Sequence, residues 1–211
     1  MASTTPSIAC LGIIGRNNNP LHITIFPSYD ATTQTYAPVR TPLQFSLLLS
    51  GTLDVFEARS RHIANPTAAA AGGGNLLLSG DFGLLHAIDD RLAAYGFETN
   101  TGVKFVAVVD MRGRSSSAKN AATVGGGGVG GGGGGAARIS GGGMGGVGLR
   151  DNELKPVFRA VQTAYVRLLQ NPFYDPDETN LLAGAKRITS RKFGDEMRRI
   201  GESWGPGVTA L

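Results

Sequence analysis

A glycine-rich tract places the strongest constraint on how this chain can fold. Of the 24 residues at positions 125–148, 16 are glycine. Such a tract buries too little apolar surface to offset its chain entropy, so we predict that it is disordered. We extend this predicted Gly-rich insertion over residues 111–148, and we assign residues 63–80, which contain AAAAGGGN, to a low-complexity Ala/Gly loop. What remains is the size of one domain, and residues 1–211 are predicted to form a single domain.

The net charge of +4 originates in the insertion. Residues 111–148 contain four basic residues and no acid, which leaves 20 − 4 = 16 basic against 16 acidic residues elsewhere. A nucleic-acid-binding fold carries its positive charge on structured elements, so no nucleic-acid partner is expected. A neutral core also favours at most peripheral association with a membrane.

Cysteine usage and the first residues indicate a cytoplasmic protein. Cys10 is the single cysteine, so no disulfide can form within the chain, as is typical of a reducing compartment. We interpret Cys10 as a small core residue rather than a nucleophile. The N-terminal MASTTPS lacks the basic start of a signal peptide, and the apolar run at 8–15 is too short to span a membrane.

Apolar periodicity predicts five strands and three helices, with a polar loop at 28–41. The predicted strands are 8–14, 21–26, 81–85, 92–99 and 103–110, and the predicted helices are 42–62, 149–170 and 189–204. Because Pro156 belongs in a first helical turn, the second helix either begins near Glu153 or has a distorted opening turn. The order ββαβββαα predicts an α+β fold, in which one helix covers one face of a five-stranded antiparallel sheet and two helices cover the other.

The first helix has two distinct faces. Six residues at helical spacing form its predicted buried face: Phe45, Leu48, Leu49, Thr52, Val55 and Phe56. The opposite stripe contains Leu47, Gly51, Asp54 and Ala58. Apart from Leu47 these residues are small, so the backbone of another protein could approach the helix closely. We therefore select this stripe as the candidate partner interface.

No catalytic, cofactor-binding or metal-binding residue is predicted. The glycine tract matches dinucleotide-binding patterns only by chance, because it lacks the tight turn that such sites require. The G-x-S-x-G match at 201–205 follows a helix and has no acid or His after it. The three histidines, His22, His62 and His86, have no metal-ligand spacing, and Asp89-Asp90 is interpreted as a turn.

Three further motifs receive structural interpretations. Asn171-Pro-Phe-Tyr174 resembles a sorting peptide, but it directly follows an amphipathic helix, so packing of Phe173 or Tyr174 against the domain is favoured. The basic residues of the last helix and its lead-in, interrupted by Asp195 and Glu196, are interpreted as a solvated face. The RGRSSS sequence at 112–117 is typical of a phosphorylation site in a flexible loop.

Five separated blocks resemble one known family in sequence, order and spacing. They are Gly83-Leu-Leu85, YGFETNTGVKFVAVVD at 95–110, LRDNE at 149–153, Asn171-Pro-Phe-Tyr174, and ITSRKF at 188–193. Together with the element order, they resemble the sedlin-like, subunit 2-like proteins of the TRAPP vesicle-tethering complex, which have the longin fold. The departures are the Gly-rich insertion, the Ala/Gly stretch and a longer lead-in at 175–187.

The resemblance implies a non-catalytic scaffold. TRAPP complexes act in ER–Golgi and intra-Golgi transport and activate Rab GTPases by nucleotide exchange, and the sedlin-like subunits help to assemble them. The implied partners are other TRAPP subunits and, indirectly, Rab GTPases, and the implied location is cytoplasmic, peripheral to Golgi membranes. Asp54 matches the acid in the first helix of this family. No cofactor is implied.

Two other classes remain open. A longin module can instead bind SNAREs or belong to a vesicle-coat adaptor, but no SNARE-like heptad run or membrane anchor follows Trp204. A cytosolic enzyme would require a catalytic constellation, and the sequence provides none.

Overall fold

The computed structural model describes residues 4–64, 80–115, 149, 153–174, 187–209 and 211. The strands in these ranges are β1 (Thr4–Ile14), β2 (Pro20–Ile25), β3 (Ser28–Asp30), β4 (Thr35–Ala37), β5 (Asp81–Ala87), β6 (Leu92–Glu98) and β7 (Lys104–Ser115). The helices are α1 (Pro42–Ala64), α2 (Lys155–Leu169) and α3 (Arg191–Ser203). Five strands form one sheet in the order β2-β1-β7-β6-β5, and every neighbouring pair is antiparallel. The predicted α+β class and five-stranded antiparallel sheet are confirmed.

Two neighbouring interior strands of the sheet, β1 and β7, are apolar on both faces. On one face Leu11 of β1 and Phe105 of β7 belong to the core beneath α2 and α3. On the other face Cys10 and Val106 belong to the core beneath α1. A register shift between Ile8 and Cys10 marks a bulge in β1. A sheet covered by helices on both sides requires such two-sided hydrophobicity, and the predicted one-helix, two-helix layering is confirmed.

Local hydrogen bonds and one proline determine where the helices begin and how α2 and α3 are joined. At α1, the Thr41 hydroxyl accepts from the Gln44 N–H at 3.3 Å while the Gln44 side chain accepts from the Thr41 N–H at 2.9 Å, which is a reciprocal capping box. In α2, Pro156 lies in the first turn, so the alternative in which the helix begins near Glu153 is correct. The buried Trp204 at the end of α3 donates to the Glu153 carbonyl at 3.0 Å and ties the two helices together.

Three predicted boundaries are wrong. Helix α1 continues to Ala64, so residues 63 and 64 belong to the helix rather than to the predicted Ala/Gly loop. The segment 28–41, predicted to be a loop, contains the β3–β4 hairpin. Strand β7 continues to Ser115 and pairs with Thr4 and Thr5 of β1, so residues 111–115 belong to the sheet rather than to the predicted insertion. Ser115 is buried, which places the first serine of the RGRSSS sequence inside the fold. Residues 116–148 and 65–79 lie outside the described residues.

Two glycines of α3 predict opposite responses to alanine. A methyl group on Gly201 would collide with the buried Phe26 ring, whereas one on Gly194 would have its nearest neighbour, His22 Cε1, at 4.0 Å. Alanine in a helix gains up to about 1 kcal/mol over glycine, but overpacking costs about 1–3 kcal/mol. We expect Gly194→Ala to raise the free energy of unfolding and Gly201→Ala to lower it by about 1–2 kcal/mol. Urea unfolding of both variants measures the difference, and a stabilised Gly201→Ala would contradict the packing.

Candidate protein-interaction surface

The outer stripe of α1 is exposed along its whole length. Leu47 is 64% exposed, and Gly51, Asp54 and Ala58 are exposed as well. The structure therefore brings the four predicted interface residues together on one helix face. Leu43, four residues before Leu47, is 70% exposed and extends the stripe towards the start of the helix. The helical spacing between Leu43 and Leu47 is visible in the sequence and places Leu43 on the same stripe.

The buried face of α1 fixes which way the stripe points. Phe45, Leu49, Thr52 and Phe56 are buried against the sheet, and Leu48 and Val55 are partly buried beside them. The predicted buried face is thus confirmed. Gly96 of β6 allows this close contact, because a Cβ atom there would lie 2.5 Å from the Phe56 ring.

The far half of α1 is attached to edge strand β5. The Arg59 guanidinium donates to the carbonyls of Phe82 and Leu84, both at 2.6 Å. Near the middle of the outer stripe, a Cβ atom on Gly51 would meet nothing within 4 Å. The Asp54 carboxylate has no hydrogen bond or ion pair within the described part of the chain. Hydrogen bonds from Arg59 therefore attach the helix to the sheet, and the exposed stripe is available to contact another molecule.

A polar network at one end of the sheet holds the segment that leads into α1. Asp110 is fully buried, and its carboxylate accepts three hydrogen bonds from Arg91 at 2.8–3.0 Å. Arg91 also donates to the Tyr29 carbonyl at 2.8 Å, and the carboxylate raises the pKa of Arg91 above its usual value. Arg40, just before α1, pairs with Asp89 at 3.0 Å. The network therefore connects β7, the β3–β4 hairpin and the start of α1.

Asp89 acts as a turn former. Its Oδ1 accepts from the N–H groups of Arg91 at 2.8 Å and Leu92 at 2.6 Å. Partial burial raises the pKa of Asp89, but these backbone bonds and the Arg40 guanidinium outweigh it and hold that pKa below its usual value. This confirms the interpretation of Asp89-Asp90 as a turn.

The other chemically notable residues occupy structural positions. Cys10 is buried, and burial raises the pKa of its thiol to about 12, as expected of a core residue. Burial lowers the pKa of His22, which contacts Phe193 edge-on at 5.3 Å. The Ser203 hydroxyl donates to the Ile200 carbonyl at the end of α3. Among the described residues no three His, Cys, Asp or Glu side chains form a group that could hold a metal ion.

The Asn171–Tyr174 sequence forms a turn after α2. The Asn171 side chain accepts from the Phe173 N–H at 3.1 Å, and its carbonyl accepts from the Tyr174 N–H at 3.0 Å. Tyr174 packs against the core, as predicted for one of the two aromatic residues, while Phe173 is 95% exposed.

In the described part of the chain, no helix is both long and apolar enough to cross a membrane.

The architecture is that of a longin-like protein with an exposed helical face. The chain belongs to the Sedlin family, because the model of that family matches residues 13–203. It is similar to the trafficking protein particle complex subunit 2-like protein of Mus musculus, with 28% identity over 184 residues, covering 87% of this chain and 89% of that protein. The protein of the same name from Dictyostelium discoideum is 25% identical over 195 residues, covering 92% of this chain and 95% of that protein.

Proposed function

We propose that this chain is a non-catalytic subunit that scaffolds a TRAPP-type vesicle-tethering complex through α1. The observation that carries the proposal is the exposed stripe of Leu47, Gly51, Asp54 and Ala58. Membership of the Sedlin family and the names of the relatives support the choice of complex. The complex would act in ER–Golgi or intra-Golgi transport as a Rab GTPase exchange factor, with this chain contributing contacts rather than chemistry.

The stripe has the composition of a helix-packing surface. Two large exposed leucines at 43 and 47 provide apolar area, and burying one leucine side chain is worth about 1.5–3 kcal/mol. Gly51 presents bare backbone, which lets a partner helix approach more closely than any other residue permits. Asp54 adds a charge that favours a basic group opposite it. The stripe therefore suits a protein partner rather than a small ligand.

Two further features support a scaffold. Asp89 serves as a turn former, Cys10 as a core residue, and Arg91 and Asp110 as a partly buried ion pair, so each of these already has a structural role. The charge of the chain outside residues 111–148 is balanced. We propose a cytoplasmic location in which the complex, rather than this fold alone, contacts Golgi membranes.

Affinity purification of the tagged full-length chain tests the proposed function. We expect quantitative mass spectrometry to recover the other subunits of the tethering complex in stoichiometric amounts. Recovery of SNAREs or coat-adaptor subunits alone would contradict the proposal and favour the alternative longin functions. An unrelated protein with the same tag serves as the control for non-specific capture.

A further inference from the structure

A groove of about 750 Å³ lies between α2 and α3. One wall is a row of α2 side chains spaced four residues apart: Lys155, Arg159, Thr163 and Arg167. Residues four apart lie on the same helix face, so the row is continuous. At about 1.5 Å per residue it runs for about 18 Å. The apolar parts of the lining are contributed by Pro156, Ala160, Val208 and Leu211.

The side chains that line this groove carry a net positive charge. Among the charged side chains of this lining, four are basic (Lys155, Arg159, Arg167 and Arg199) and two are acidic (Glu153 and Glu196), a side-chain balance of 4 − 2 = +2. Helix α2 itself contains no acidic residue. The groove therefore attracts anions although the chain outside the Gly-rich insertion is neutral.

The ion pairs in the groove leave some of its basic side chains available to bind a ligand. Glu196 is shared between Arg167 at 3.1 Å and Arg199 at 3.7 Å, and both arginines are largely exposed. Neither Lys155 nor Arg159 has an ion-pair partner in the described part of the chain. Arginine guanidinium groups bind carboxylates through two parallel hydrogen bonds. One carboxylate can be bound at Arg159, and a second can join the pair that Glu196 already bridges.

We propose that this groove binds an extended acidic segment of another subunit of the same complex. This inference rests on the proposed function, because it takes the partner from that complex, but it assigns a second contact on the face of the sheet opposite α1. A length of about 18 Å accommodates about five residues of extended chain at about 3.3 Å each. Acidic residues would face the Lys155–Arg167 row, and small apolar residues would face Ala160 and Val208.

The concave shape favours a polypeptide over a membrane. A lipid surface is nearly planar at this scale, so it would contact the rim of the groove rather than its lining. A flexible acidic segment can enter the groove and place its carboxylates beside Arg159 and Arg167, which both belong to its lining.

Site-specific photo-crosslinking in the assembled complex tests the proposal. A p-benzoylphenylalanine at Thr163, which is exposed and lines the groove, is activated in the purified complex and the linked peptides are sequenced. We expect a peptide with a net negative charge from another subunit. Arg159→Glu combined with Arg167→Glu is expected to lower the crosslink yield at least about ten-fold, because both carboxylate contacts are replaced by repulsion.

The matched control carries the same charge change outside the groove. Arg191→Glu combined with Lys192→Glu reverses two charges at the start of α3, and neither residue lines the groove. This control should leave the crosslink unchanged, and thermal melting should show all variants folded. Links to lipid only, to a neutral or basic peptide, or to nothing would overturn the groove proposal. Failure of the complex to co-purify at all would instead overturn the proposed function.

Discussion

Replacing Leu43 and Leu47 with aspartate is expected to remove the chain from the tethering complex while leaving it folded. Both leucines are mostly exposed, so their loss costs the isolated fold little. In a complex each would lose about 1.5–3 kcal/mol of apolar burial, which for two residues weakens binding at least about 100-fold. Burying the new carboxylates without partners would weaken it further.

The measurement is the recovery of partner subunits by the tagged variant, with circular dichroism as the check on folding. Leu169→Asp is the matched control, because Leu169 is also a partly exposed helical leucine but lies on α2, across the sheet. The control should co-purify normally. Normal recovery with the Leu43→Asp/Leu47→Asp variant would exclude the α1 stripe as the interface.

Gly51 provides a variant in which folding and binding move in opposite directions. A Cβ atom there would meet nothing within 4 Å in the described part of the chain, and leucine is a better helix former than glycine by up to about 1 kcal/mol. We expect Gly51→Leu to raise the thermal stability of the isolated chain but to lower its recovery in the complex. Asp54→Tyr should also lower recovery in the complex, because the larger side chain would block the approach of a partner. A binding loss that accompanies a stability gain cannot be attributed to unfolding.

The sequence was sufficient for the layers of the fold and the faces of α1. Phe45, Leu49 and Phe56 repeat at helical spacing, and the two-sided apolar strands require cover on both faces. These signals are local, so periodicity reveals them. The outer stripe follows from the same pattern by exclusion, and Leu43, four residues before Leu47, lies in the same register.

The elements that were mispredicted depend on contacts between distant residues. The β3–β4 hairpin has two strands of three residues each, and it is stabilised by the Tyr29–Tyr36 ring contact at 5.3 Å and by the Arg91 bond to the Tyr29 carbonyl. Residues 111–115 resemble the basic, glycine-containing insertion in composition, but Thr4 and Thr5 pair with their far end. No local pattern reports such pairings.

The groove between α2 and α3 could be foreseen only in part. The sequence shows that α2 has basic residues at 155, 159 and 167 and no acid. It does not show that α3 packs beside α2 with Glu196 between Arg167 and Arg199. The basic residues of α3 were predicted to form a solvated face; they are exposed, and Arg199 also contributes to the wall of the groove.

Replacing Arg91 with methionine is expected to be the most destabilising single change at the end of the sheet. Asp110 is fully buried, and removing the partner of a buried charge typically costs about 3–5 kcal/mol. The Arg112 N–H still donates to Asp110 at 2.9 Å, so we place the loss near about 3 kcal/mol, or about 10 °C in Tm. Arg112→Met is the control, because the exposed Arg112–Asp90 pair at 3.9 Å should contribute less than about 1 kcal/mol.

A double substitution separates the charge from the packing. Asn in place of Asp110 keeps an acceptor for the Arg112 N–H but carries no charge. If the cost of Arg91→Met comes from an uncompensated buried carboxylate, Arg91→Met/Asp110→Asn should unfold at a higher temperature than Arg91→Met alone. If the two losses simply add, the cost lies in the bonds that Arg91 makes, including the one to the Tyr29 carbonyl. In that case the Arg91 side chain acts mainly by holding the β3–β4 hairpin through its bond to the Tyr29 carbonyl.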